Sequence, residues 1–413
     1  MNFIKKIGLA NPTNLFFANG GIYIKPLTYR HTIAACLISY VIQAVIVSFA
    51  PLLFLTFHET YHIPPDKLAL LIVVNFGVQM LTDYFASCYA QKLGYRPCVL
   101  LAHSLCAMGF LALVVLPQVM PSLGGLIVAV ALYAVGGGLL EVMISPIIEA
   151  CPTENKSSVM SLVHSFFCWG TALTVLLSTA FFSCFGLHRW RILACLWAIL
   201  PAVNIFLFSR VPLYSVTGEA RDVPNAKMLF SQRIFIVFLL MMFSTGACEQ
   251  TIGQWASYFA ETGLGVSKTM GDLLGVCGFS VMMGLSRLWY AHKGEALHRK
   301  KSLMLFAALC TLSYLLLGFS SVPAVGLLCC ALCGFAVGMF WPGVFSMAAS
   351  RVKNGGTTMF ALLALAGDMG CFLGPLTAST AAKAVEGNLQ KGIALAVVFP
   401  LLLLGSLMFF KEN

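Results

Sequence analysis

Long apolar runs recur along the whole chain, separated by short polar breaks, and no other feature restricts its fold so tightly. A bilayer-spanning helix needs about 20 apolar residues to cross a hydrocarbon core about 30 Å thick. Inside that core each backbone N–H and C=O must find a partner within the protein, which for runs of this length means α-helix. Spans are predicted at about 31–57, 67–93, 97–117, 124–150, 157–185 and 190–210, then at about 232–258, 269–292, 302–320, 323–350, 357–384 and 392–410. Only 10% of the 413 residues are charged, against about 25% in soluble domains, so there is too little polar surface for a soluble enzyme. The expected fold is an all-α polytopic membrane protein, its partner the lipid bilayer, with twelve transmembrane helices in two sets of six.

The longest polar interval, 211–231, contains Pro212, Glu219, Arg221, Asp222, Pro224 and Lys227 and reads as a linker. It divides a six-helix half, 31–210, from a second half, 232–413. Residues 1–30 begin with Lys5 and Lys6 but are broken by Pro12, Asn14, Asn19 and Gly20, which suits a cytoplasmic or interfacial arm better than a signal peptide. With the N-terminus inside, eighteen Lys and Arg residues fall in inner segments and six in outer ones. That asymmetry predicts a cytoplasmic (inner) membrane protein with both termini and the linker in the cytoplasm. The net charge of +10 is spread over these breaks and forms no phosphate-tracking stripe, so nucleic acid is not expected as a partner. The fifteen cysteines are scattered through the apolar runs and read as small buried hydrophobes, with no metal or cofactor implied. An offset of 200 relates Gly94 to Gly294, Gly138 to Gly338 and Gly170 to Gly370, consistent with parallel six-helix repeats.

A charge inside a span costs about 2.5–3.5 kcal/mol on insertion scales, so each such residue needs a reason. Glu141 lies about four residues from the middle of the fourth span, and Glu249 about four from the middle of the seventh, each within roughly 6 Å of the midplane. Both are candidate proton carriers, with a structural hydrogen-bonded carboxyl as the bland alternative. Gln250, Gln254 and Tyr258, at i, i+4 and i+8, share one face beside Glu249 and suit a polar solute. Trp169, Trp255 and Trp341 offer faces for a sugar ring, although aromatics within spans more often serve packing. Asn75, Gln79, Asp83 and Ser87 form a polar stripe down the second span that must face protein or water. Arg287 requires a carboxylate or carbonyl partner and fits a gating or structural ion pair better than a solute contact. His164 is a packing histidine or a solute or proton ligand. Pro146 and Pro342 are expected to kink the fourth and tenth spans.

Between the second and third spans the chain reads Ser87-Cys88-Tyr89-Ala90-Gln91-Lys92-Leu93-Gly94-Tyr95-Arg96. This resembles the major facilitator signature Gly-x-Leu-Ala-Asp-Arg-x-Gly-Arg-Arg. Lys92, Gly94 and Arg96 match, Ser87 stands for the first glycine, and Gln91 stands for the aspartate. Gly136-Gly137-Gly138-x-x-Glu141 and Glu249-x-x-x-x-x-Trp255-x-x-Tyr258 look like sugar:proton symporters of the fucose permease type. The resemblance, over roughly 30–410, implies that spans one, four, seven and ten line a central cavity where Gln43, Glu141, Glu249 and Trp341 converge. It also implies that the second span meets the eleventh, which puts Asp83 and Asp368 at the moving interface, and that Lys92, Gly94 and Arg96 belong to a gate.

No Walker A sequence or zinc-binding histidine pattern is present, and no nucleophile–base pair is nominated, so an enzyme is not expected. A two-fold repeat in one chain without a filter motif favours alternating access over a channel. The expectation is a secondary transporter, functional as a monomer, that moves a small hydroxylated solute by proton symport. Proton-coupled efflux of amphipathic drugs or metabolites is the alternative.

Overall fold

The computed structural model describes residues 15–18, 21–24, 27–153, 156–214, 226–293, 298–320, 322–352, 356–385 and 387–410. Among them, twelve helices are long and apolar enough to cross a membrane. They are α1 Tyr29–Leu52, α2 Pro65–Leu93, α3 Tyr95–Val119, α4 Ser122–Ala150, α5 Lys156–Phe185 and α6 Trp190–Arg210. The second set is α7 Arg233–Leu264, α8 Lys268–Tyr290, α9 Arg299–Phe319, α10 Pro323–Arg351, α11 Gly356–Ala384 and α12 Leu389–Phe409. A small antiparallel ladder, β1 Leu15–Ala18 with β2 Gly21–Ile24, precedes the bundle.

Most helices begin and end within a few residues of the apolar runs. The exceptions have local causes. α1 is interrupted just after Pro51 and resumes as the short helix Phe54–Tyr61, which His62 ends with a left-handed backbone (φ 54°). α7 runs on to Leu264, where Gly265 takes φ 66°. In α8 the segment Gly271–Cys277 is wound as a π-helix, a rare geometry that is frequent at functional sites. Of the two expected kinks, α10 shows a break at Met339, whereas α4 stays one continuous helix through Pro146. Pro342 lies between Gly338 and Gly343, so the missing N–H adds to the poor helix propensity of its neighbours, while the glycines of α4 lie two turns away from Pro146.

The helices pack first within their own set: α3 against α4 and α6, α1 against α5, α7 against α11, and α8 and α9 against α10. Without a hydrophobic drive between helices in lipid, close approach depends on small residues. A Cβ on Gly170 would meet Ala44 and Val41 of α1, and one on Gly370 would meet Phe243 and Ala247 of α7. Gly138 lies against Gln79, Thr82 and Asp83 of α2, and Gly338 against Met283 and Ser286 of α8. These two pairs, 200 residues apart, therefore make the same contact in each set. A polar tie repeats as well: Arg96 donates to the carbonyl of Phe208 (2.6 Å) at the end of α6, and Lys300 donates to the carbonyl of Phe410 (2.5 Å) at the end of α12.

Three helix pairs join the sets: α2 with α11, α5 with α8, and α1 with α7. By contrast, α4 and α10 make their main contacts within their own sets. An even number of spans puts both chain ends on one face, called here the terminal face; the other is the distal face.

Candidate functional site

On the α4 side of the seam the site is a chain of side-chain amides ending in a carboxyl. Asn75 and Gln79, one turn apart on α2, are joined by a bond from Gln79 Nε2 to Asn75 Oδ1 (3.0 Å). Gln43 Nε2 of α1 donates to Gln79 Oε1 (2.5 Å) and reaches Glu141 Oε2 of α4 (3.4 Å). The bare faces of Gly137 and Gly138 allow this: a Cβ on Gly137 would strike Gln43 Oε1 at 2.8 Å, and one on Gly138 would strike Asp83 Oδ1 at 2.8 Å. Tyr40, a turn before Gln43, hydrogen-bonds Ser145 of α4 and lies beside Glu141. Glu141 is nine residues, roughly 14 Å, from the terminal end of α4, and yet it is exposed, whereas Gln43 and Gln79 are buried.

The facing side is built on α7 and α8. Glu249 accepts from Gln250 Nε2 (3.4 Å) and from the side chain of Trp341 on α10. Arg287 Nη2 of α8 stands 3.5 Å from Glu249 Oε2. The partner that Arg287 required is therefore Glu249, one helix away within the same set. Its guanidinium remains underused: Nε has no bond, and the other contact is to Met283 Sδ at 3.8 Å. Gln254 Nε2 continues the amide line, donating to Gln250 Oε1 (2.8 Å) and across the seam to the Val47 carbonyl of α1 (3.3 Å). At the seam itself, Asp83 and Asp368 interact electrostatically with one another and each with Glu141. α2 and α11 are in contact with one another.

Three sequence expectations, for Trp255, Tyr258 and Arg96, are revised by where the side chains lie. Trp255 is fully buried, its N–H given to the Pro375 carbonyl (3.1 Å) and its ring against Phe54 and Tyr258, so it presents no face to a solute. Tyr258 shares that packing and is 7% exposed. Trp169 and Trp341 keep partial exposure, Trp169 lying over Gly284 of α8 and Trp341 over Gly367 of α11. Arg96 does not cross between the sets: its two bonds, to the carbonyls of Phe208 and Val211 (2.8 Å), clamp α3 to the end of α6. Gly94, with φ 87°, makes the turn into α3. The side chains of Lys92 and His164 lie outside the described residues, as does Gly294. Sequence reasoning overlooked Tyr40, although its i, i+3 spacing to Gln43 was a usable signal, and Asp272, four residues after Lys268 on α8.

The Major Facilitator Superfamily model matches residues 33–375. Among solved structures, a D-xylose–proton symporter superposes with a TM-score of 0.75 at 12% identity, covering 93% of this chain and 97% of that one. The fucose:proton symporter of E. coli gives 0.63 at 15%, with 94% and 100% covered. A mutant of a nucleoside transporter gives 0.73 at 13%, with 92% and 98% covered. Identities this low carry the shared fold and nothing finer. No curated protein matches the chain by sequence.

Proposed function

The chain belongs to the Major Facilitator Superfamily of transporters, and on that premise we propose that it moves a small hydroxylated solute, a sugar or a related compound, by alternating access with proton symport. The observation that carries this reading is an amide-and-carboxyl line in each set, Asn75–Gln79–Gln43–Glu141 in the first and Glu249–Gln250–Gln254 in the second, and we read the exposed Glu141 as the floor of a cleft between the sets. Amides offer donors and acceptors together, which suits hydroxyl groups, and the rims of Trp169 and Trp341 suit an apolar ring face. An amphipathic drug would find few apolar walls among these groups, which is why uptake of a polar solute is preferred over efflux. Glu141, open to the cleft, is the first candidate to take up and release the proton, and Glu249 the second. His164 stays a candidate solute or proton ligand. Both halves of the site come from one chain, so a monomer suffices.

A panel of sugars, polyols, nucleosides and lipophilic cations, read first by thermal shift and then by uptake into proteoliposomes, tests the reading. A polyhydroxylated solute is expected to accumulate down an imposed proton gradient and to stop when a protonophore is added. Accumulation that survives the protonophore and follows sodium instead would rule proton symport out, and stabilisation by lipophilic cations alone would favour efflux.

We further propose that the terminal face is cytoplasmic, because the positive charge excess lies on that side. Tags at the C-terminus and within residues 215–225 are then expected to stay unlabelled in intact cells. Labelling of either tag from outside would reverse the orientation.

A further inference from the structure

The distal face is tied shut at the two sides of the seam, and the two ties are built differently. Between α2 and α11, Lys383 Nζ meets Asp66 Oδ2 at 2.8 Å, with the lysine side chain 71% exposed. Exposed pairs of this kind contribute about 0–1 kcal/mol, because water competes for both charges. Between α8 and its neighbours lies a buried network instead. Lys268 Nζ donates to the Leu52 carbonyl at the end of α1 (2.7 Å) and to Asp272 Oδ1 (3.2 Å), and Glu261 Oε1 lies at 3.6 Å. The Lys268 ammonium also stands 6.0 Å from the centre of the Phe182 ring of α5. Asp272 has no exposed side-chain surface and accepts from Ser257 of α7 and from Thr179 Oγ1 of α5 (3.2 Å).

Asp272 therefore holds both sets at once, and it sits in the π-helical turn of α8. That turn packs through Gly271 against Ala260 and through Gly275 against Ala256 of α7. A π turn holds one residue more per turn than an α turn, so rewinding it to α geometry rotates Asp272 relative to the rest of α8 and draws it away from Thr179. Losing one partner of a buried charge network also leaves the remaining charge unpaired in a dry site, which magnifies the effect of any break.

We propose that the Lys268–Asp272–Glu261 network, seated on the π turn, is the bolt of the distal face: these are the positioning residues whose rupture opens that face, and the Asp66–Lys383 pair is not. The proposal rests on the alternating-access part of the proposed function and is independent of the solute and the coupling ion.

Hydrogen–deuterium exchange of the full chain in lipid nanodiscs, with no solute and no proton gradient, tests it. In Asp272→Asn and Lys268→Met, amides of residues 44–61 and 257–275 are expected to exchange at least about tenfold faster than in the parent. The terminal ends of α4 and α10, residues 140–150 and 340–351, should exchange more slowly as the cleft closes there. Lys268→Arg should restore the parent pattern, and Asp66→Asn should match it. Thr179→Val removes only the cross-set bond to Asp272 and should give a smaller shift in the same direction, which keeps the test intact if Asp272→Asn does not fold. Faster distal exchange without slower exchange at the terminal face would reduce the network to local packing and overturn the proposal. So would an equal response to Asp66→Asn, or parent-like exchange in both primary variants. Failure of solute uptake, in contrast, bears on the proposed function and leaves these outcomes readable.

Discussion

Glu141→Gln is expected to abolish proton-driven accumulation while solute exchange across the membrane continues. Glutamine keeps the size of the side chain and an oxygen that can accept from Gln43 Nε2, now 3.4 Å from Glu141 Oε2. What it loses is ionisation. Net accumulation needs a group that binds a proton on one face and releases it on the other, but exchange of solute for solute needs only the conformational swing. Both activities are measured in the same proteoliposomes, one with an imposed gradient and one with solute preloaded. A purely structural carboxyl gives a different pattern, because glutamine would replace its hydrogen bonds and accumulation would stay near normal. A solute ligand gives a third: binding and exchange both weaken, by roughly 1.5–3 kcal/mol for a lost hydrogen bond to a charged group. Normal accumulation by the variant would remove Glu141 from coupling and transfer that role to Glu249.

Arg287→Met should be the most damaging substitution in the facing half of the site. The guanidinium and the Glu249 carboxylate are 3.5 Å apart, with side-chain exposures of 21% and 6%, so Glu249 depends on Arg287 for compensation. Removing one member of such a pair typically costs about 3–5 kcal/mol, mostly from the charge left behind. The single variant is expected to melt well below the parent and to transport nothing. Adding Glu249→Gln removes the stranded charge, and the double variant should recover most of the stability, to within about 1.5 kcal/mol of the parent. Transport should remain absent, since the double variant lacks both the second candidate proton carrier and the cation beside it. A melting curve and an exchange assay on the three variants decide the matter. If Arg287→Met melts like the parent, the pair contributes nothing to holding α7 against α8.

The span limits were legible because each is a property of one segment. A run of apolar residues in lipid must close its own backbone hydrogen bonds, whatever lies next to it, so α6 begins and ends at the residues the run defines. The repeat was legible for a related reason. Gly138 and Gly338, like Gly170 and Gly370, mark places where one helix backbone must approach another, and that demand falls on a single residue type. The cost of charge in hydrocarbon singled out Glu141, Glu249 and Arg287, and the polar stripe of the second span singled out Asp83, without any knowledge of their partners, whereas Asp368 came in only through the family resemblance.

Partners were a different matter. Arg96, read as part of a gate, spends its donors on the carbonyls of Phe208 and Val211, and Trp255, read as a solute platform, gives its N–H to Pro375. Asp272, inside the eighth predicted span, was not singled out at all, although it is fully buried between both sets. In water, an amphipathic stripe fixes how a helix is turned toward its core. In lipid, the outward and inward faces are both apolar, so the sequence determined which segments cross and which residues there need a reason. The rotation of each helix about its axis, and with it the partner each polar group finds, was decided only when all twelve helices packed against one another.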